Sequence, residues 1–285
     1  MATADQSVPA ASPTNASDSG ALTEVLSPYF SSCVPAHTLQ EYSPALLQSL
    51  SVPSPFSLSH AHCLFYRIEA FLPHSSRFGL FLDPEDLRDV SSAAPGSPSH
   101  IAKVVIYAVC LWGAHLSPPE SPHRAREASF LLASLRSAAT HLSTHDQHPR
   151  RFLNFIQAEL LLAHYFYRIG KPLEARIHAD AAGSLILSSG MHCTRAVARP
   201  SPDAYRTSLS PPAEDPKEMG TMINGFWTTY VTIRHMALAS SPSFMTVFDA
   251  PSIQVDTPWP MDWKSYREVG TLLSQHVPLL TSFVG

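Results

Sequence analysis

Residues 152–192, FLNFIQAELLLAHYFYRIGKPLEARIHADAAGSLILSSGMH, leave this chain little choice of fold class. Phe152, Phe155, Ile156, Leu160, Ala163 and Tyr167 recur at helical spacing and form one apolar face. Leu153, Leu161, Leu162, Phe166 and Ile169 widen that face, so this helix is expected to be buried on two sides. Gly170 suits the left-handed residue that ends a helix, and Lys171-Pro172 restarts the chain. Leu173, Ile177, Ala181, Leu185 and Leu187 then predict a second stripe. Ala175, Ala179, Ala182 and Gly183 are small enough for close helix approach. Gly190 closes the second helix, with Met191 placed for the apolar contact that often follows such a cap. Two helices joined by so short a turn must run antiparallel. The hairpin resembles a single tetratricopeptide-type unit, but nothing repeats at that period elsewhere.

The rest of the chain reads as further helices separated by breaks at proline. The residues from His60 to Leu72 carry a helical stripe. Asp83-Pro84-Glu85-Asp86 is a helix start, with a capping aspartate, a proline at the first turn and acidic side chains at the positive end of the dipole. Ser99 is placed to cap an apolar helix that runs to His115. Ser121-Pro122 opens one that runs to about His141, and Pro149 opens the helix to Ile169. The polar, proline-rich stretch 199–218 is expected to be a mobile insert, and the first 20 residues a disordered tail. Helical pattern resumes at Met219, with Met222, Ile223, Phe226, Trp227, Tyr230, Ile233, Met236 and Ala237 as a dense stripe. Phe248 to Trp263 is irregular around a Pro258-Trp259-Pro260 turn. A last amphipathic stretch, Tyr266 to Phe283, ends without an obvious cap and is expected to be cut short. No strand-like alternation of any length occurs. The fold class is all-α, with antiparallel helical hairpins packed in one irregular domain over 21–285.

Composition narrows the chemistry. A net charge of −4 and a pI near 6.4 argue against nucleic-acid binding by the chain as a whole. Cys33, Cys63, Cys110 and Cys193 are far apart, which excludes a disulfide scaffold and any closely spaced zinc or redox pair. The apolar run from Ile101 to Leu116 is too short for a membrane span and suits a buried helix. The amino-terminal residues lack the basic start and apolar stretch of a signal peptide. Three histidines, His141, His145 and His148, with Asp146, carry metal-ligand side chains. A solvated helix end, where histidines complement the dipole, explains them as well. His60, His62 and Cys63 form a second such group, and His192 with Cys193 a third; a site would require them to meet in space. Trp227, Trp259 and Trp263 could line a ligand pocket, although core packing for Trp227 and a pinned loop at Pro-Trp-Pro are the simpler expectations. No phosphate-loop, dinucleotide, nucleophile-elbow or metalloprotease motif is present. The chain is expected not to be an enzyme.

Three blocks in order carry a resemblance. They are the hairpin ending in SSGMH, a variable polar insert, and INGFWTTYVTIRHMALASSPSFMTVFDAPSIQVDTPWP from Ile223 to Pro260. This order resembles the regulatory "middle homology" domain of fungal-specific transcription factors of the binuclear zinc-cluster family. The matching positions are Ile223, Asn224, Phe226, Trp227, Pro242, Pro258, Trp259 and Pro260, with Gly170 and Gly190 in the hairpin. The resemblance covers roughly residues 22–270. Two departures stand out. Gly220-Thr221 and Ile233-Arg234 occupy positions where the family often carries charged pairs, and they are expected at or near the surface. The six closely spaced cysteines of the zinc cluster, and the basic segment beside them, are absent.

The resemblance implies a regulator of transcription in the nucleus. Zinc and DNA would then be bound by a domain that these residues do not include, so no cofactor is expected in this chain. Partners would be the transcription machinery or other family members, with a small-molecule effector as a further possibility. Two other readings stand beside it. One is a stand-alone helical interaction scaffold without DNA binding, and the other is a small-ligand-binding helical protein. No membrane association is expected.

Overall fold

The computed structural model describes residues 58–92, 101–141, 150–194, 213, 215–240, 245–251 and 253–268. Seven helices are longer than two turns among them: α1 (Leu58–Phe71), α2 (Pro84–Ser92), α3 (Lys103–Leu116), α4 (Glu127–His141), α5 (Arg151–Arg168), α6 (Pro172–Ser188) and α7 (Pro216–Ser240). A short helix, α8, covers 263–268. A seven-residue 3₁₀ segment at Leu72–Phe78 and single turns at Arg124–Arg126, Met191–Cys193 and Val247–Asp249 join or follow them. No strand occurs among the described residues, and the chain is all-α. No described helix is long and apolar enough to cross a membrane.

α5 is the axis of the molecule. α3 and α4 pack on one side of it, α6 and α7 on the other, and α1 lies outside α3. Every residue from Leu153 to Ala163 is buried, including Asn154, Gln157 and Glu159, so α5 is enclosed on all sides rather than on two. A buried polar side chain needs a partner, and each of these has one. Asn154 Oδ1 accepts from the Ala102 N–H (2.9 Å) at the start of α3. Gln157 holds the turn after α1: its Oε1 accepts from the Phe81 and Leu82 amides (2.8 and 3.1 Å), and its amide donates to the Gly79 carbonyl (2.9 Å). Glu159 pairs with His178 of α6 at 2.7 Å. Trp112 of α3, wholly buried, donates its indole N–H to the Leu161 carbonyl at 2.9 Å.

The α5/α6 hairpin closes as its sequence predicts. Gly170 has φ 77°, the Lys171 N–H reaches the Phe166 carbonyl (2.9 Å), and the Gly170 N–H reaches that of Tyr167 (3.2 Å). These two bonds are the paired ones of a Schellman cap. The second helix, however, faces differently from the predicted stripe. Leu173 is 69% exposed, and Ile177, Ala181 and Leu187 are only half-buried. The buried face is Ala175, His178, Ala179, Ala182, Gly183 and Ile186, shared with Leu185. Small residues let α6 approach α5 and α7 closely, and that contact outweighs the larger side chains one position round the helix. A Cβ on Gly183 would stand 2.6 Å from Ile233 Cδ1 of α7 and 2.9 Å from Val247.

Helix starts follow the sequence in part. Asp83 caps α2, accepting from the Glu85 N–H at 3.1 Å. Ser121 Oγ accepts from the His123 N–H (3.2 Å), and one turn of tighter helix precedes α4. α3 begins at Lys103, and the N–H of Ala102 just before it donates to the Asn154 side chain. Ser99, Pro149, the tail 1–20 and the insert up to 212 lie outside the described residues. The insert's last residues do not: α7 begins at Pro216, not Met219. Asp215-Pro216 repeats the start seen at Asp83-Pro84, with the Glu218 N–H on Asp215 Oδ1 at 2.6 Å.

Candidate functional site

Four residues of the resemblance, Gly190, Trp227, Pro258 and Trp259, gather at one end of α6, where three segments meet. α6 ends at Gly190 (φ 74°), and Met191 beyond it is wholly buried, as its placement after the cap predicts. The extended residues 253–260 run across this turn as a strap. Thr257 Oγ1 donates to the Met191 carbonyl (2.7 Å), the Asp256 N–H donates to the His192 carbonyl (2.8 Å), and the Cys193 thiol donates to the Gln254 carbonyl (3.0 Å). The strap then meets α7. Trp227 donates its indole N–H to the Pro258 carbonyl at 2.6 Å, and its ring stacks on Trp259 with centroids 4.3 Å apart and planes 14° apart. The other face of Trp259 is open, with 74% of the residue exposed. Offset stacking of this kind contributes about 0.5–1.5 kcal/mol beyond the area it covers.

Gly190, Trp227, Pro258 and Trp259 are therefore brought together. Phe226 is wholly buried and Ile223 nearly so, on the core side of α7. Pro260 is exposed beyond the turn. Asn224 lies one turn before Trp227, and its Oδ1 is covered without a hydrogen-bond donor among the described residues. Gly170 sits at the opposite end of α6, about 25 Å away over 17 helical residues, and belongs to the hairpin rather than to this site. Trp263 packs on Tyr266, away from the tryptophan pair. Pro242 lies outside the described residues.

Of the two residue pairs that depart from the family pattern, Gly220 and Ile233 are buried, whereas Thr221 and Arg234 are partly exposed. Gly220 is buried against the Tyr266 ring of α8, and Ile233 is 2% exposed. Arg234 does face outward. It pairs with Asp249 at 2.7 Å and lies over the Tyr230 ring. The Thr246 N–H and hydroxyl both donate to Asp249, and with Arg234 they hold its carboxyl below the usual carboxylate range.

Other polar clusters join helices. Glu127 Oε1 accepts from Tyr165 (2.8 Å) and pairs with His115 Nδ1 (2.7 Å), while Oε2 meets Arg124 at 2.9 Å. Arg168 donates to His115 Nε2 at 3.2 Å, so Nε2 is the lone-pair nitrogen and Nδ1 carries the proton. The imidazole is oriented as a base would be, yet its lone pair is taken by Arg168, and the group clamps α3, α4 and α5. Asp83, 1% exposed at its side chain, meets Lys217 of α7 (3.2 Å) and Arg267 of α8 (3.1 Å). Its carboxylate is both a helix cap and the anchor of two distant segments. Among the described residues no three His, Cys, Asp or Glu side chains are grouped to hold a metal ion. His145, Asp146 and His148 lie outside them, as do the side chains of His60, His62 and His141.

His164 of α5 is wedged against α7. Its Nε2 is 3.2 Å from Thr232 Oγ1, and burial, with His235 nearby, pushes its pKa down to about 4. The unfolded chain protonates this ring with the ordinary pKa near 6.5. Its neutral state therefore favours the fold fully above about pH 6.5, and that contribution is lost as pH falls toward 4. The loss is on the order of 3 kcal/mol for the shift of His164. Urea titrations of the wild type and His164→Gln across this range test it. The variant is expected to lose less stability than the wild type between the two pH values, and parallel curves would contradict it.

No protein-family model matches this chain, and neither a curated protein nor a solved structure does.

Proposed function

We propose that this chain is the helical regulatory domain of a transcription regulator of the fungal zinc-cluster type, acting in the nucleus through protein contacts and without catalysis. The observation that carries the reading is the joining of Trp227 to Pro258-Trp259. Residues 31 positions apart, which the resemblance singles out from sequence order, form one hydrogen-bonded and stacked unit. The exposed face of Trp259 is suited to anchor a partner, since tryptophan dominates binding energy where it can be fully desolvated. Zinc and sequence-specific DNA binding are assigned to a domain outside these residues, and the chain itself takes no cofactor. Its partners are the transcription machinery or other family members.

The test is a reporter driven by this chain fused to an unrelated DNA-binding domain. The fusion is expected to move the reporter, up or down, from the level set by the DNA-binding domain alone. Trp259→Ala is expected to bring it back most of the way, at a stability cost of only about 1 kcal/mol from the lost stack. A fusion indistinguishable from the DNA-binding domain alone would count against the regulatory reading. It would favour a stand-alone scaffold, for which the open Trp259 face would serve equally. Sequence-specific, salt-sensitive DNA binding by the unfused chain would overturn the assignment of DNA reading to another domain.

A further inference from the structure

Among the described residues, Ser117, Ser121 and Thr257 are each followed by a proline. Two of these hydroxyls are committed to the backbone. Ser117 is 5% exposed, and its Oγ donates to the Gly113 carbonyl at 2.7 Å. Thr257 is 7% exposed, and its Oγ1 donates to the Met191 carbonyl at 2.7 Å. Ser121 differs from both. It lies on the turn between α3 and α4, half-buried, with Pro118, Pro119, Glu120 and Pro122 exposed around it. Its Oγ accepts from the His123 N–H at 3.2 Å, and among the described residues nothing accepts its own hydrogen. Such a hydroxyl can give its proton to an external base as its oxygen attacks.

The turn is lightly held. The Ser121 N–H reaches the Pro118 carbonyl (2.9 Å), the Arg124 N–H reaches the Ser121 carbonyl (3.0 Å), and the His123 ring stacks on Tyr66 of α1 with centroids 4.4 Å apart. A few hydrogen bonds at the surface open at low cost, so the segment can be drawn out into the cleft of another protein. Arg124, three residues after Ser121, pairs with Glu127 Oε2 at 2.9 Å, and Glu127 in turn holds His115 and Tyr165.

We propose that Ser121 is a phosphorylation site for a proline-directed serine/threonine kinase, and that the phosphate draws Arg124 away from Glu127. In the reaction Ser121 Oγ bonds to the γ-phosphorus of ATP, its proton passes to the base of the kinase, and the bond to ADP breaks. Pro122 offers a ring and no N–H, so the acceptor fits kinases that take a proline in the next position. The product carries about −1.5 to −2 charges one helical turn from Arg124. Arginine takes phosphate in the same forked way as carboxylate, and the phosphate bears the larger charge. Glu127 then keeps His115 and Tyr165 but loses Arg124, which loosens the clamp on α3, α4 and α5. The inference is independent of the transcriptional reading, and a fusion that fails to move a reporter would leave it intact.

The test incubates the folded full chain with a recombinant proline-directed kinase, magnesium and ATP, and maps phosphopeptides by tandem mass spectrometry. Ser121 is expected to be labelled. Ser117 and Thr257 are expected to be labelled roughly tenfold less or lower, because each must first break a buried hydrogen bond. The phosphorus NMR resonance missing from Ser121→Ala identifies the site in solution. It is expected to titrate below the usual second value of about 6, to return toward that value in Arg124→Gln, and to stay low in Arg124→Lys, which keeps the charge. An unlabelled Ser121 in the folded chain would overturn the site, as would equal labelling of Ser117 and Thr257. A phosphate that titrates alike in the wild type and Arg124→Gln would overturn the transfer of Arg124.

Discussion

Gly113→Ala is expected to lower the melting temperature by roughly 6–12 °C, the shift that corresponds to about 3 kcal/mol in a domain of this size. Gly113 lies on α3 where α1 crosses it. A Cβ there would be in collision with the Arg67 carbonyl oxygen and would stand 2.7 Å from Arg67 Cα and Cβ. Backbone atoms cannot rotate out of the way, so the two helices must move apart. Val104, Val105, Ala108, Val109 and Leu111 of α3 are all 0% exposed, and separation loosens that packing. Calorimetry of the variant checks the expectation. A melting temperature within about a degree of wild type would show that the helix pair can yield.

Gln157→Leu is expected to cost about 4 kcal/mol although the two side chains are similar in volume. Leucine fills the space but leaves the Phe81 and Leu82 amides without an acceptor and the Gly79 carbonyl without a donor. Each unmet buried group costs about 1–3 kcal/mol. The effect has a local signature. Amide exchange at Phe81 and Leu82 should accelerate more than exchange in the α5/α6 hairpin, because the turn is released before the hairpin is. Uniform acceleration across the chain would mean that the glutamine contributes only to global stability.

The helices were legible because their stripes and breaks are local. Gly170 and Gly190 mark the hairpin ends correctly, since a left-handed residue there is a demand of the backbone alone. The Asp83-Pro84 start was legible for the same reason. The identical signal at Asp215-Pro216 was hidden by the surrounding prolines and charges, which read as insert. Which face of α6 is buried was not legible. Periodicity weighs large apolar side chains, whereas Ala175, Ala179, Ala182 and Gly183 matter because of what they allow α5 and α7 to do. The polar interior of α5 was equally silent. Asn154, Gln157 and Glu159 interrupt an apolar pattern, and nothing local says that Ala102, Phe81 and His178 will meet them. At the candidate site, sequence order singled out Trp227 and Pro258-Trp259-Pro260, but their contact with each other and with the Gly190 turn is a product of the strap. The burial of Arg67 was not legible, because an arginine on an amphipathic helix ordinarily faces water.

Asp83 also sets a clock. Its carboxylate is a complete helix cap as soon as residues 83–86 exist, and it can then remain hydrated. Its pairing with Arg267 spans 184 positions. At about 5–20 residues per second of synthesis, those positions take roughly 10–40 s to appear. Until Lys217 of α7 is made, the nascent chain holds an acidic group without either of its cations, and Arg267 completes the set only later. That edge of the first half of the molecule acquires its counter-charges only when α7 and α8 have been made.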